Sequence, residues 1–291
     1  MTIHHQHHGQ GEPGLVFIHG FLCHLEHWRH QSEYFRHRTE VLAVDLLGHG
    51  QTMAKAEDMN VETVCERLAA LIQEKMKGRV ILVGHSMGCR IALRTAQMLN
   101  ERCVGLILVD GSKQGNDPDI DPQAFVDKVH DMGFVPFAQH TFNMMFYEPR
   151  FDYLKREILD YVVGNNPDLV VPLFKDVRRF DAVDAQSVVA SLKQPILVIQ
   201  STDILPDGQR VALDGTTHGV FADFIAQHGQ DVTITLLPGG HFTMMEQPAN
   251  TNYLMDQFRR IVGKTLPPPP KPAEPVDKTD LTEASKEKPE N

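Results

Sequence analysis

Basic residues are in short supply in this 291-residue chain: 28 Lys and Arg stand against 38 Asp and Glu, for a net charge of −10. That balance argues against nucleic acid and against anionic membrane surfaces as partners. Cysteine is scarce as well. Cys23, Cys65, Cys89 and Cys103 include no C-x-x-C pair, and the start Met1-Thr2-Ile3-His4-His5 has none of the marks of a signal peptide. No apolar run reaches the length needed to cross a bilayer. These absences lead to the expectation of a soluble, cytoplasmic protein with reduced thiols. His4-His5-Gln6-His7-His8 is rich in one potential metal ligand. In a strand its members alternate between faces, and neither Cys nor carboxylate accompanies them. The stretch therefore reads as a solvated edge strand, and neither a metal nor a cofactor is expected.

What the chain does contain is 42% hydrophobic residues, enough for one large domain with a core. Leu15-Val16-Phe17-Ile18 and residues 40–45, 79–83, 104–110, 195–199 and 231–237 read as buried strands. Helical patterns separate them, over residues 26–35, 61–77, 89–99 and 251–262. The second of these places Val61, Val64, Cys65, Leu68, Leu71 and Ile72 on one face. Apolar strands alternating with amphipathic helices predict an α/β fold with a mostly parallel sheet covered on both faces. Active groups in such sheets sit at the carboxyl ends of strands. Phe21, Ser86, Asp110, Asp203 and His241 all fall just after strand ends.

The rhythm stops between residues 113 and 193, where helical patterns are broken at Pro122, Pro136, Pro149, Pro167 and Pro172. The predicted organisation is a first core segment over 1–112, a helical insertion over 113–193, a second core segment over 194–264 and a proline-rich tail over 265–291 of disordered composition. The middle of the insertion is rich in Phe and Met. Phe137, Phe142, Met145 and Phe146 read equally well as packing within the insertion or as the lining of an apolar pocket.

The most informative stretch is Gly84-His85-Ser86-Met87-Gly88, set between the strand at 79–83 and the helix at 89–99. Strand, G-x-S-x-G and helix together describe a nucleophile elbow, in which a sharp turn lifts the Ser86 hydroxyl clear of the sheet above a helix N-terminus. A serine hydroxyl needs a base, and the base needs an orienting carboxylate. His241 is the candidate base, in the loop after the last strand. His19 and His85 read as residues that hold the neighbouring turns. The N–H groups of Met87 and Phe21 are candidates to stabilise an oxyanion. For the acid, Asp110, followed by Gly111 and Ser112, is preferred. Asp203 is the alternative.

His19-Gly20-Phe21, Asp45-x-x-Gly48-His49-Gly50, the elbow, Leu108-Val109-Asp110 and Gly240-His241 resemble the α/β-hydrolase superfamily over residues 13–262. Ahead of the alternative acid Asp203, Gln200 stands where the α/β-hydrolases that these residues resemble usually carry a glycine. The resemblance implies an eight-stranded sheet, a lid formed by the insertion over Ser86, and hydrolysis through an acyl-serine. Superfamily members that carry aspartate at the elbow, the epoxide hydrolases and dehalogenases, are disfavoured by Ser86. The expected activity is cleavage of a small-molecule carboxylic ester or lactone with an apolar acyl or aryl group. The alternatives are C–C bond hydrolysis or cofactor-free oxygenation on the same dyad, or a non-catalytic ligand receptor on the same frame. A homodimer is left open.

Overall fold

The apolar runs pair side by side in a computed structural model that describes residues 2–113 and 121–266. The strands are β1 (His5–His8), β2 (Gly14–Ile18), β3 (Val41–Val44), β4 (Val80–His85), β5 (Cys103–Val109), β6 (Ile196–Gln200), β7 (Thr202–Ile204), β8 (Arg210–Ala212) and β9 (Val232–Leu236). Seven of them form one sheet in the order β1-β3-β2-β4-β5-β6-β9. Only β1 runs antiparallel, at the edge against β3. Every residue of β2, β3, β4 and β6 is buried, as expected of central strands covered on both faces.

The helices are α1 (Arg29–Phe35), α2 (Val61–Lys75), α3 (Gly88–Leu99), α4 (Pro122–Met132), α5 (Phe134–Asn143), α6 (Asp152–Val162), α7 (Pro167–Val183), α8 (Ala185–Ser191), α9 (Val220–His228), α10 (Thr243–Glu246) and α11 (Pro248–Thr265). Helices α2, α3, α8 and α9 touch in succession on one side of the sheet, while α1 and α11 pack together on the other. No helix of the described residues is long and apolar enough to cross a membrane.

The main sheet has seven strands among the described residues where eight were expected. The remaining extended segments, β7 and β8, pair only with each other. Just past β6, Oδ1 of Asp110 takes the N–H groups of Ser201 and Thr202, each at 2.7 Å.

Helices α4 to α8 lie between β5 and β6, where the helical insertion was expected. Pro122 and Pro167 occupy first turns, where a missing N–H costs nothing. Pro172 does not break its helix as the sequence suggested; it sits inside α7, whose Val170, Val171 and Leu173 are buried around it. The proline-rich tail, apart from Thr265 and Leu266, lies outside the described residues.

Candidate active site

Strand β4 delivers Ser86 to the turn before α3 with φ at +54°. A residue other than glycine is costly there. The turn is held by Ser86 N–H donating to the Val109 carbonyl at 3.1 Å. It can be this tight only because glycines flank it. A Cβ on Gly84 would lie 2.4 Å from the Gly88 carbonyl oxygen, and one on Gly88 would lie 2.4 Å from that of Ile18. Strand β2 and helix α3 therefore pass closer than any side chain allows.

Asp110 follows β5 with φ at +43° and is fully buried. Its Oδ2 receives Nδ1 of His241 at 2.7 Å and the Thr202 hydroxyl at 2.6 Å. Arg210 Nη1 donates to Thr202 Oγ1 at 2.6 Å and lies 3.7 Å from Asp110 Oδ2. Its Nη2 donates to Ser112 Oγ at 2.7 Å. Burial pushes the Asp110 carboxyl above its usual range, opposed by Arg210, the Thr202 hydroxyl and the two N–H groups on Oδ1. Burial holds the His241 imidazole well below its usual range, helped by the charges of Arg210 and Arg90. The ring is thus kept neutral, which is the form that accepts a proton.

Asp203 goes elsewhere. Its carboxylate accepts the Val220 N–H at 3.2 Å at the start of α9, and the Ile204 N–H at 2.9 Å. It is an end-capping residue, and the structure brings Asp110, not Asp203, to His241.

The His241 loop is held from three sides. Its N–H donates to the Met145 carbonyl of the insertion at 2.9 Å. Its carbonyl bonds His85 Nε2 at 2.9 Å. Glu246 Oε2 accepts the preceding Gly240 N–H at 2.8 Å. His19 plays a similar part in the opposite loop: Nε2 accepts the Leu46 N–H at 2.9 Å and Nδ1 donates to the Gly20 carbonyl at 2.8 Å. The N–H groups of Phe21 and Met87 bond no other group among the described residues.

Ser86, His241, Phe21 and Met87 all line one cavity of about 360 Å³, a size suited to a small molecule. A model of the alpha/beta hydrolase family matches residues 15–252. The chain belongs to the alpha/beta hydrolase family. It is 24% identical over 262 residues to the dihydrolipoyllysine-residue acetyltransferase component of the acetoin cleaving system of Pseudomonas putida, a match covering 87% of this chain and 65% of that relative. It is 22% identical to 3-oxoadipate enol-lactonase 2 of Acinetobacter baylyi over 258 residues, covering 85% of this chain and 89% of that one. Among solved structures, the esterase EaEST from Exiguobacterium antarcticum superposes with a TM-score of 0.74 at 16% identity, covering 89% and 95% of the two chains.

Of the expected pocket residues, Phe137, Phe142 and Met145 line the cavity. Phe146 does not. Its ring stacks on Phe242 at 5.4 Å with the planes 4° apart, so its apolar surface is spent against the loop behind His241. The aromatic wall includes two rings outside the expected set, Phe174, 4.4 Å from the ring of Phe21, and Phe125, 4.8 Å from that of Phe174. Arg210, Thr202 and Arg90 were missed too. Their signals, a basic residue in a polar loop and one in the first turn of the elbow helix, are legible only once the chain is folded. Cys23 also lines the cavity, and Cys89 lies behind the elbow. Burial pushes both thiols up, that of Cys89 to about 12, so neither is a ready nucleophile.

Proposed function

We propose that the protein hydrolyses a carboxylic ester or lactone through an acyl-serine intermediate, with Ser86 as nucleophile, His241 as base and Asp110 as the acid that orients the base. The observation that carries this reading is the 2.7 Å contact between His241 Nδ1 and Asp110 Oδ2 in a histidine that lines the same cavity as Ser86. Nδ1 is thereby the protonated nitrogen, and Nε2 is left as the acceptor.

In the proposed reaction the Ser86 proton passes to His241 Nε2 as Oγ bonds the substrate carbonyl carbon. The oxyanion is held by the N–H groups of Phe21 and Met87. His241 returns the proton to the leaving oxygen as the C–O bond breaks. Water, deprotonated by the same nitrogen, then bonds the acyl carbon, the bond to Oγ breaks as Ser86 takes the proton back from His241, and the acid leaves. The helices over residues 122–191 act as the cover of the site; the Phe125, Phe137, Phe142 and Phe174 rings suit an apolar acyl or aryl group.

The test is labelling with a serine-directed fluorophosphonate, combined with a panel of p-nitrophenyl esters of increasing acyl length. The wild-type protein should be labelled and turn over at least one ester. Ser86→Ala should abolish labelling and lower kcat by about 10⁴-fold or more while its circular dichroism is unchanged. Turnover by Ser86→Ala at the wild-type rate would end the reading.

A further inference from the structure

The wall of the cavity is strongly cationic in a protein that is acidic overall. Arg90, Lys113, Lys128, Arg178 and Arg210 all line it, against the carboxylates of Asp181 and Asp207. Most of the negative charge is already committed. Both oxygens of Asp181 are taken by Arg90, Nε to Oδ1 at 2.8 Å and Nη2 to Oδ2 at 2.7 Å. Asp207 is exposed at the tip of the β7–β8 hairpin, where its Oδ1 accepts the Gln209 N–H. Arg210 is engaged with Thr202, Ser112 and Asp110.

Lys113 is different. Only 8% of its surface is exposed. Its ammonium lies 4.9 Å from the centre of the Phe224 ring, and no carboxylate among the described residues comes within ion-pair distance of it. It lies on the segment that runs from Asp110 past the elbow: the Ser112 carbonyl just before it, like the Ser86 carbonyl, accepts from the Arg90 guanidinium. A buried ammonium facing a ring loses hydration that the ring only partly replaces. An anion in the cavity would supply the rest. The Arg178 side chain, from α7, adds positive charge on the same wall.

We propose that the substrate is an anionic ester or lactone: one that carries, besides the scissile bond, a carboxylate seated against Lys113 with Arg178 beside it. This rests on the hydrolase reading and narrows its substrate class. The aromatic rings hold the apolar chain between the two ends, and the cationic wall draws the anion into a cavity that the acidic surface otherwise screens.

The test uses the full chain and methyl half-esters of straight-chain diacids, from succinate to suberate. Each is paired with the methyl ester of the monoacid of equal acyl length. For at least one length, kcat/KM for the half-ester should exceed that of its neutral partner by about 10-fold or more. Lys113→Met should reduce that ratio at least about fivefold, chiefly through KM, and Lys113→Arg should restore it. Salt at about 0.5 M should lower the ratio in the wild-type protein. Neutral esters preferred at every length, or a ratio indifferent to Lys113→Met, would overturn the proposal. If Ser86 is labelled and neutral esters are cleaved without a preference for the half-esters, the proposal fails and the hydrolase reading stands. If nothing is labelled or cleaved, the hydrolase reading fails. Calorimetric titration with hexanoate and hexanamide then decides the anion site. Tighter binding of the carboxylate, lost in Lys113→Met, supports it; equal or absent binding ends it.

Discussion

Asp110 and Asp203 are the same residue type, each just past a strand end, yet their surroundings give them different work. Asp110 is buried among Ser201, Thr202, Arg210 and His241. Converting it to Asn replaces an acceptor with a group that can present N–H to His241 Nδ1, favouring the wrong tautomer. Asp110→Asn is expected to lower kcat by about 10²-fold or more on a good ester. Asp203→Asn should keep most of its kcat, because its carboxylate accepts the Val220 and Ile204 N–H groups and is not the one bonded to His241. Asp203→Ala should instead cost about 1 kcal/mol of stability, the usual value of a lost helix cap. Steady-state kinetics and denaturant unfolding of the three variants measure both effects. A crippled Asp203→Asn beside a near-normal Asp110→Asn would reverse the assignment. Gln200 shows why this choice was open. In place of the usual glycine, its Nε2 donates to the carbonyls of Gly111 and Thr202, both at 2.8 Å, and braces the turn that holds Asp110.

At the scale of elements, the Arg90–Asp181 ion pair joins the elbow helix α3 to α7 of the insertion. Arg90 is 3% exposed, and Asp181 neutralises it through two parallel bonds of 2.8 and 2.7 Å. Asp181→Ala leaves a buried guanidinium with only two carbonyls and the Phe221 ring as partners among the described residues and is expected to destabilise the fold by about 3 kcal/mol. The double variant Arg90→Met, Asp181→Leu removes the charge along with its partner and should recover most of that loss. Chemical denaturation of wild type, both single variants and the double closes the cycle; equal losses in Asp181→Ala and the double would show that packing, not charge, is at stake. The same pair keeps α7, with its Phe174 and Arg178, in position over the cavity.

Across the whole molecule, stability should carry the signature of Glu246. Burial raises its carboxyl to about 7, against the Gly240 and Phe242 N–H groups that pull it down. Oε1 finds no hydrogen bond among the described residues. A carboxyl whose folded-state pKa is raised binds its proton more tightly in the native state. Its contribution is therefore fully present below the unfolded-state value of about 4.5 and lost as pH rises towards 7. Glu246→Gln keeps an acceptor for the Gly240 N–H and does not titrate. Its stability relative to wild type should accordingly be higher at pH 8 than at pH 5, read from denaturation midpoints at the two values. Parallel pH profiles would rule out Glu246 as the source of the slope.

The local pattern was enough for the strands of the main sheet, for α2, α3 and α11, and for the elbow. Apolar runs such as Val80 to Val83 can only be buried, and a glycine-flanked serine between strand and helix has one well-known conformation. The loss of strand rhythm after Ser112 was legible too, and helices α4 to α8 fill the interval before β6. Tertiary structure alone decided what long-range contacts decide. Asp110 and His241 are 131 positions apart, and no local rule chooses between two aspartates at strand ends. The seven-stranded sheet, the stacking of Phe146 on Phe242, the bracing by Arg210 and Thr202, and the gathering of Lys113 and Arg178 on one wall likewise depend on which surfaces meet. Periodicity dictates which face of an element is buried, because that is a property of neighbours in the chain. The partner across that face is set by packing of the whole, where a hydrogen bond or an ion pair forms only after distant segments have been brought within about 3 Å.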